Sequence, residues 1–227
     1  MDEPKSDPWE SLKCIWTAFA LGAVFMMGVL TAYLWSLPFG LYMMLSLSSF
    51  HMCEYTVSAL YRPRELSHDS FMVNHSQAYI LATVAAWVEY AIEATLIPSL
   101  KSSTTITVVG MALSVLFYSV RVISMVQCGS NFQLQIECHK RVEHQLVTHG
   151  LYAYLRHPSY FGWFWYSVST QVLLANPICL ILYARASWMF FHKRIEYEEM
   201  ILRSKEFFGT KYDEYRKKTI VGIPYIS

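Results

Sequence analysis

The chain has 227 residues, 54% of them hydrophobic and only 15% charged, with a mean hydropathy of +0.27. That composition is wrong for a water-soluble core and describes a polytopic membrane protein. A formal charge of +1 excludes general affinity for nucleic acid, and it makes the placement of the cations more informative than their sum.

In chain order, Met1 to Trp9 is polar, and the apolar stretch after it is longer than a signal-peptide core and lacks a small-residue cleavage pattern. The first span is therefore expected to stay in place. Crossing about 30 Å of hydrocarbon takes roughly 20 residues. Four stretches qualify, at roughly 13–36, 39–61, 76–97 and 104–127, and each is read as a helix. Glu54, Glu89 and Glu93 fall inside them, where a carboxylate is costly unless it faces a cavity, a partner or the interface. Glu89 and Glu93 are one turn apart, as a proton relay or transporter would have them. His51 and Arg121 are available as neutralising partners, and structural hydrogen bonds are the commoner use.

The segment 128–160 is the longest non-apolar stretch and holds His139, His144, His149 and His157 with Tyr152, Tyr154 and Tyr160. Its histidine spacing matches no helical metal-ligand pattern, so no metal is expected. Cys14, Cys53, Cys128, Cys138 and Cys179 show no paired spacing and read as reduced thiols. In Arg156-His157-Pro158 the proline suits the first turn of a helix. Its position does not account for an arginine, a histidine and tyrosines at the mouth of the next apolar segment, where they would meet a polar ligand. That segment, 161–192, is broken by Asn176-Pro177 into two arms of about 15 residues, a helical hairpin that dips into or barely crosses the bilayer.

Beyond the hairpin, Arg194 and Glu198 share one helix face at its membrane end. There a guanidinium can hold a carboxylate bidentately, and Glu198 can face a ribose hydroxyl or an ammonium. Glu196, Glu199 and Arg203 read as ordinary ion-pairing residues of a solvated helix. From Phe207-Phe208-Gly209 through Tyr212 and Tyr215 to Arg216-Lys217-Lys218, aromatics and cations alternate as in a helix lying on a membrane interface. The chain thus divides into membrane helices at 1–127 and a second region at 128–227, made of a loop, the 161–192 hairpin and an interfacial helix. Lys5, Lys13, Arg62, Arg64, Lys140, Arg141, Arg156 and the cations from Lys193 to Lys218 fall on one side, and only Lys101 in the opposite loops. Positive-inside asymmetry then puts both termini and the site in the cytosol, where the sequon Asn74-His75-Ser76 escapes glycosylation.

Gly150-x-Tyr152-x-x-x-Arg156-His157-Pro158-Ser159-Tyr160-x-Gly162, the Asn176-Pro177 turn, and Arg194-x-x-x-Glu198-Glu199 followed by Phe208-Gly209-x-x-Tyr212-x-x-Tyr215 together resemble the isoprenylcysteine carboxyl methyltransferases. The likeness extends upstream through Ser67-x-Asp69-Ser70-Phe71, Asn74-His75-Ser76 and Gly129-Ser130-Asn131-Phe132. It implies an all-α endoplasmic reticulum enzyme of about six membrane helices that methylates the C-terminal carboxylate of farnesylated or geranylgeranylated cysteine, as found on small GTPases. The donor implied is S-adenosyl-L-methionine, leaving S-adenosyl-L-homocysteine. By the same resemblance Arg194 orients the acceptor and, with Glu198, is catalytic. Glu137, His144, Gln145, Leu146, Val147, Tyr152, His157, Pro158, Ser159, Tyr160 and Glu198 enclose the donor, and the lipid tail enters laterally. The Arg-His-Pro motif alone also resembles membrane sterol reductases, so an NADPH-dependent oxidoreductase and a non-catalytic transporter stand as the alternatives.

Overall fold

The computed structural model describes residues 8–74, 76–141 and 144–227. Lys5, His75 and the side chain of Arg64, all used in the orientation argument, lie outside the described residues. Among the described residues the regular structure is helical, apart from one parallel bridge between Leu155 and Ile220. The helices are α1 (Pro8–Leu34), α2 (Leu37–Tyr42), α3 (Phe50–Tyr61), α4 (Gln77–Leu96), α5 (Pro98–Lys101), α6 (Thr104–Cys128), α7 (Pro158–Leu173), α8 (Pro177–Leu202) and α9 (Thr210–Arg216). A π-helical segment, Met43–Ser49, joins α2 to α3 without a break. All four stretches expected to be helical are so, and three, Pro8–Leu34, Gln77–Leu96 and Thr104–Asn131, are long and apolar enough to cross a membrane.

The described chain forms two compact units, Met1–Met111 with Thr170–Cys179, and Ala112–Ser169 with Leu180–Ser227. In the first unit, small residues let α1 and α2 touch: a Cβ on Gly28 would lie 2.7 Å from Met44 Cγ, and one on Gly40 would collide with Ala32 and the Gly28 carbonyl. The wide π turn leaves Ser48 donating to the Leu21 carbonyl at 2.8 Å. Ser36 and Ser76 cap α2 and α4 by accepting from Phe39 and Tyr79 N–H.

Glu89 and Glu93, two of the three intramembrane carboxylates, have structural partners. Glu89 of α4 accepts from the Ile178 and Cys179 N–H groups at 2.7 and 2.6 Å, so it neutralises the exposed donors at the start of α8. Glu93 pairs with the buried Lys101 at 2.7 Å. The Lys101 ammonium also donates to the Leu174 and Ala175 carbonyls and to Asn176 Oδ1 at 2.8–2.9 Å, while Asn176 Nδ2 donates to the Ala86 carbonyl. Ala175 takes a left-handed conformation (φ 53°) to make this turn. Lys101, read from sequence as a lone loop cation, is the peg that holds the hairpin turn. A relay would need a proton-accepting path, whereas both Glu89 oxygens and Glu93 Oε2 are held by donors within the chain.

In the second unit α8 differs from expectation. It has 26 residues and runs through Phe191 and the charged segment to Leu202, so the hairpin arm and the Arg194–Glu198 face are one helix of about 39 Å. With 16 residues α7 is the short arm, opened by Pro158 as expected. Gly162 is required where α7 crosses α6, since a Cβ there would reach the Arg121 and Phe117 backbone. The core joins Tyr160 and Phe164 of α7, Phe191 and Ile195 of α8, and Val221, Ile223 and Ile226 of the C-terminal segment. That segment is fastened by the Leu155–Ile220 bridge and by Trp165 and Trp188, which donate to the Gly222 and Pro224 carbonyls.

Candidate active site

The loop after α6, the start of α7 and the polar end of α8 close around a cavity of about 840 Å³, mouth included, all within the second unit. The loop is pinned by its own polar groups. Asn131 Oδ1 accepts from Gln145 N–H at 2.9 Å, and Gln127 accepts from Leu151 N–H at 2.8 Å. Gly150 has φ 61°, and a Cβ there would strike the Gln127 amide, so glycine is needed at this point of the strap. Lys140 donates to the Phe207 carbonyl at 2.6 Å and sits 4.7 Å over the Phe208 ring. His144 packs edge-on against both phenyl rings and lies 3.4 Å from Glu137. Burial is the main reason that its pKa falls below the ordinary histidine value, which leaves the imidazole neutral at pH 7.

At the hairpin mouth, Glu199 is the central anion. It is buried, meets Arg156 at 2.5 Å, His157 at 3.1 Å and Arg216 at 3.1 Å, and Arg156 also donates to the Thr219 carbonyl. Burial alone raises a carboxyl pKa, but hydrogen bonds from His157 and Arg156 more than offset it and hold Glu199 at about 2. The sequence reading of Glu199 as a solvated ion-pairing residue is therefore corrected. Helical spacing pairs it with Arg203, but Arg203 reaches Asp213 at 2.7 Å, and Glu199 turns inward to residues distant in sequence. Arg156 lines the cavity with its guanidinium committed to Glu199 and Thr219.

His157 stacks flat on Tyr160, ring centres 5.4 Å apart, and its Nδ1 is 3.8 Å from Glu198 Oε2. That oxygen is buried and accepts no hydrogen bond from any described residue. Arg194 donates to the Tyr160 hydroxyl at 2.8 Å and to the Leu134 carbonyl at 2.6 Å, and lies over the Tyr160 and Phe190 rings. Among the described residues no carboxylate pairs with it. Arg194 and Glu198 are both half-buried, as expected for residues on one helix face.

Of the residues singled out from sequence, Glu137, His144, Gln145, Leu146, Val147, Tyr152, His157, Ser159, Tyr160 and Glu198 line the cavity. Pro158 instead starts α7, and Arg194 stands beside the cavity, joined to its wall through Tyr160. Sequence reasoning missed Gln133, Gln135, Ile136, Ile201 and Leu202, which also line it. The last two continue the Glu198 face at helical spacing and were in principle readable. Phe207, Phe208, Tyr212 and Tyr215, assigned to a membrane surface by their alternation with cations, turn toward the cavity. Phe207, Tyr212 and Tyr215 are buried, and Tyr215 donates to the Tyr152 carbonyl at 2.7 Å. Burial raises the pKa of Tyr152, Tyr212 and Tyr215, which stay protonated as donors.

The family model for isoprenylcysteine carboxyl methyltransferases matches residues 107–204, from α6 through most of the cavity wall. The protein-S-isoprenylcysteine O-methyltransferase of Xenopus laevis is 45% identical over 95% of this chain and 73% of its own length. The human relative of the same name is 44% identical over 91% of this chain and 72% of its own. The solved structure of a eukaryotic intramembrane Ras methyltransferase, isoprenylcysteine carboxyl methyltransferase, superposes with a TM-score of 0.87 at 41% identity, covering 91% of this chain and 74% of that one. With the family's signature over the cavity and its members matched along nearly the whole sequence, this chain belongs to the isoprenylcysteine carboxyl methyltransferase family.

Proposed function

We propose that this chain methylates the C-terminal carboxylate of prenylated cysteine, with S-adenosyl-L-methionine as donor, at the cytosolic face of the endoplasmic reticulum membrane. The observation that carries this reading is the pairing of incomplete groups at one hairpin mouth. Glu198 presents a buried oxygen that accepts from no described residue, and Arg194, one turn away, pairs with no carboxylate among the described residues. Two ligands of opposite polarity satisfy them, a donor with hydroxyl or ammonium groups at Glu198 and an anionic acceptor at Arg194.

S-adenosyl-L-methionine, when bound, supplies an electrophilic methyl group on a sulfonium. The acceptor carboxylate is ionised at neutral pH and needs no general base. What the chain contributes is alignment and dryness. Arg194, set by Tyr160 and the Leu134 carbonyl, orients the carboxylate. Glu198, Glu137, neutral His144, Gln145, Leu146, Val147, Tyr152, His157, Ser159 and Tyr160 form the wall that holds the donor, while Pro158 sets the start of α7. Phe207, Phe208 and Tyr212 cover that wall and keep water out. The hydrophobic tail of the acceptor, worth about 0.8 kcal/mol per buried methylene, stays in lipid.

The test is transfer of label from S-adenosyl-L-methionine to farnesylcysteine and geranylgeranylcysteine analogues, with unprenylated cysteine alongside. Methyl ester on the prenylated acceptors alone is expected. Binding of NADPH without methyl transfer would overturn the reading in favour of the reductase alternative. Glycan on Asn74 would overturn the cytosolic placement.

A further inference from the structure

The first of the three long cations of α8, Arg185, lies on the face opposite Arg194. Arg185 and Arg194 are nine residues apart, which at about 100° per residue places them on opposite faces of the helix. Arg185 lies in the apolar arm that begins at Pro177, is exposed, and makes no hydrogen bond or ion pair to any described residue. Its neighbours on that face are Ile181, Leu182 and Met189, exposed by 66, 52 and 46%. Two turns further on come the exposed His192 and Lys193, with His192 stacked 4.9 Å from the Trp188 ring.

A bare guanidinium among side chains that face hydrocarbon is costly and demands an anion or water. Arg185 stands about 12 Å from Pro177 at the turn and the same distance from Lys193, and it is at the Lys193 end that this face carries a second exposed cation. Along this face, then, the chain presents apolar surface first, on the side of the turn, and two cations second. A phospholipid of the leaflet nearer the site has the same order, acyl chains against Ile181 and Leu182 and phosphate between the cations. Free phosphate matches only the cationic half.

We propose that the Arg185–Lys193 face of α8 binds an anionic phospholipid, its acyl chains along Ile181 and Leu182 and its headgroup between the two cations. This rests on the membrane placement of α8 and not on the identity of the methyl acceptor. Trp188, one turn from Arg185, is one of seven tryptophans, so the site is read from the change in quenching between the parent and the Arg185 and Lys193 variants.

The full chain is reconstituted in phosphatidylcholine vesicles doped with brominated phosphatidylserine or brominated phosphatidylcholine, and tryptophan quenching is compared. Stronger quenching by the anionic lipid is expected, and Arg185→Leu should reduce that preference about fivefold, the effect of one basic residue near a charged surface. Arg185→Lys should keep it, and Lys193→Gln should weaken it. Equal quenching by the two lipids, or an undiminished preference in Arg185→Leu, overturns the proposal. So does suppression of the preference by millimolar inorganic phosphate at constant ionic strength, or loss of self-association in Arg185→Leu with no lipid preference in either protein, which would give the face to a second copy. Methyl transfer in phosphatidylcholine is measured in parallel and is expected to be unchanged in Arg185→Leu. Its absence from every variant would count against the enzymatic reading while leaving the lipid result standing.

Discussion

At the turn of the α7–α8 hairpin, Lys101 meets four oxygen acceptors and both Glu89 oxygens accept backbone N–H groups; at the mouth, Glu198 Oε2 accepts nothing and Arg194 has no carboxylate among the described residues. Both ends remove charge from water. At the turn it is compensated within the chain, whereas at the mouth the compensation is incomplete. Inside a protein an unsatisfied polar group is costly, which is why we propose the incomplete end as the place where a ligand supplies the missing partner. The same residue types thus have two uses, told apart by whether the chain itself completes them.

The largest effect is expected at the turn. Lys101→Met leaves Glu93 buried without its cation, a change that costs about 3–5 kcal/mol. In detergent, thermal unfolding followed by tryptophan fluorescence should shift down on the order of 10 °C. Methyl transfer per folded molecule should change little. A variant that stays as stable as the parent would show that the peg is dispensable and would break the contrast. At the mouth, Arg194→Ala removes the charge-assisted contact proposed for the acceptor and should lower kcat/KM by about 10²–10³-fold. Its unfolding temperature should stay within a few degrees of the parent. Arg194→Lys should recover only part of the activity, because an ammonium cannot hold both carboxylate oxygens in a plane.

How much of this contrast the sequence carried depends on how local the partners are. The helices were legible because hydrophobic length is a property of each segment, and the cavity-lining set from Glu137 to Tyr160 was legible through the family's motif. Lys101 was not, since its acceptors Leu174, Ala175 and Asn176 are more than 70 positions away and two are backbone carbonyls. Glu199 misled for the same reason. Its helical neighbour Arg203 is the natural partner at i,i+4, but its true partners come from 156–157 and 216. Aromatics near cations in 207–215 carry the same pattern whether they face lipid or a cavity, so composition could not decide between the two.

Glu199 stands between the two classes, a fully compensated carboxylate at the incomplete end, and pH isolates it. Its folded pKa of about 2 lies below the ordinary carboxyl value of 4.5, so the stability it contributes is fully present above pH 4.5 and is lost as pH falls toward 2. The difference is on the order of 3 kcal/mol. Unfolding temperature measured between pH 7 and pH 3 should therefore drop, and Glu199→Gln should start lower at pH 7 and fall less steeply on the acid side. Parallel acid limbs in the two proteins would remove Glu199 from the account.

The smallest effect tests the incomplete side directly. Glu198→Gln keeps the length and one carbonyl oxygen but removes the charge that a cationic or hydroxyl-bearing donor would meet. A hydrogen bond to a charged group is worth about 1.5–3 kcal/mol, so affinity for S-adenosyl-L-homocysteine, measured by titration calorimetry, should weaken roughly 10- to 100-fold. Stability should not fall with it, because Oε2 accepts no hydrogen bond from any described residue, glutamine keeps an acceptor for the Tyr160 hydroxyl, and one half-buried charge disappears. A modest rise in unfolding temperature is expected without ligand, together with a smaller stabilisation when ligand is added. Lower stability in the ligand-free protein would mean that Glu198 is already satisfied within the fold, and the mouth would then join the turn as a structural charge site.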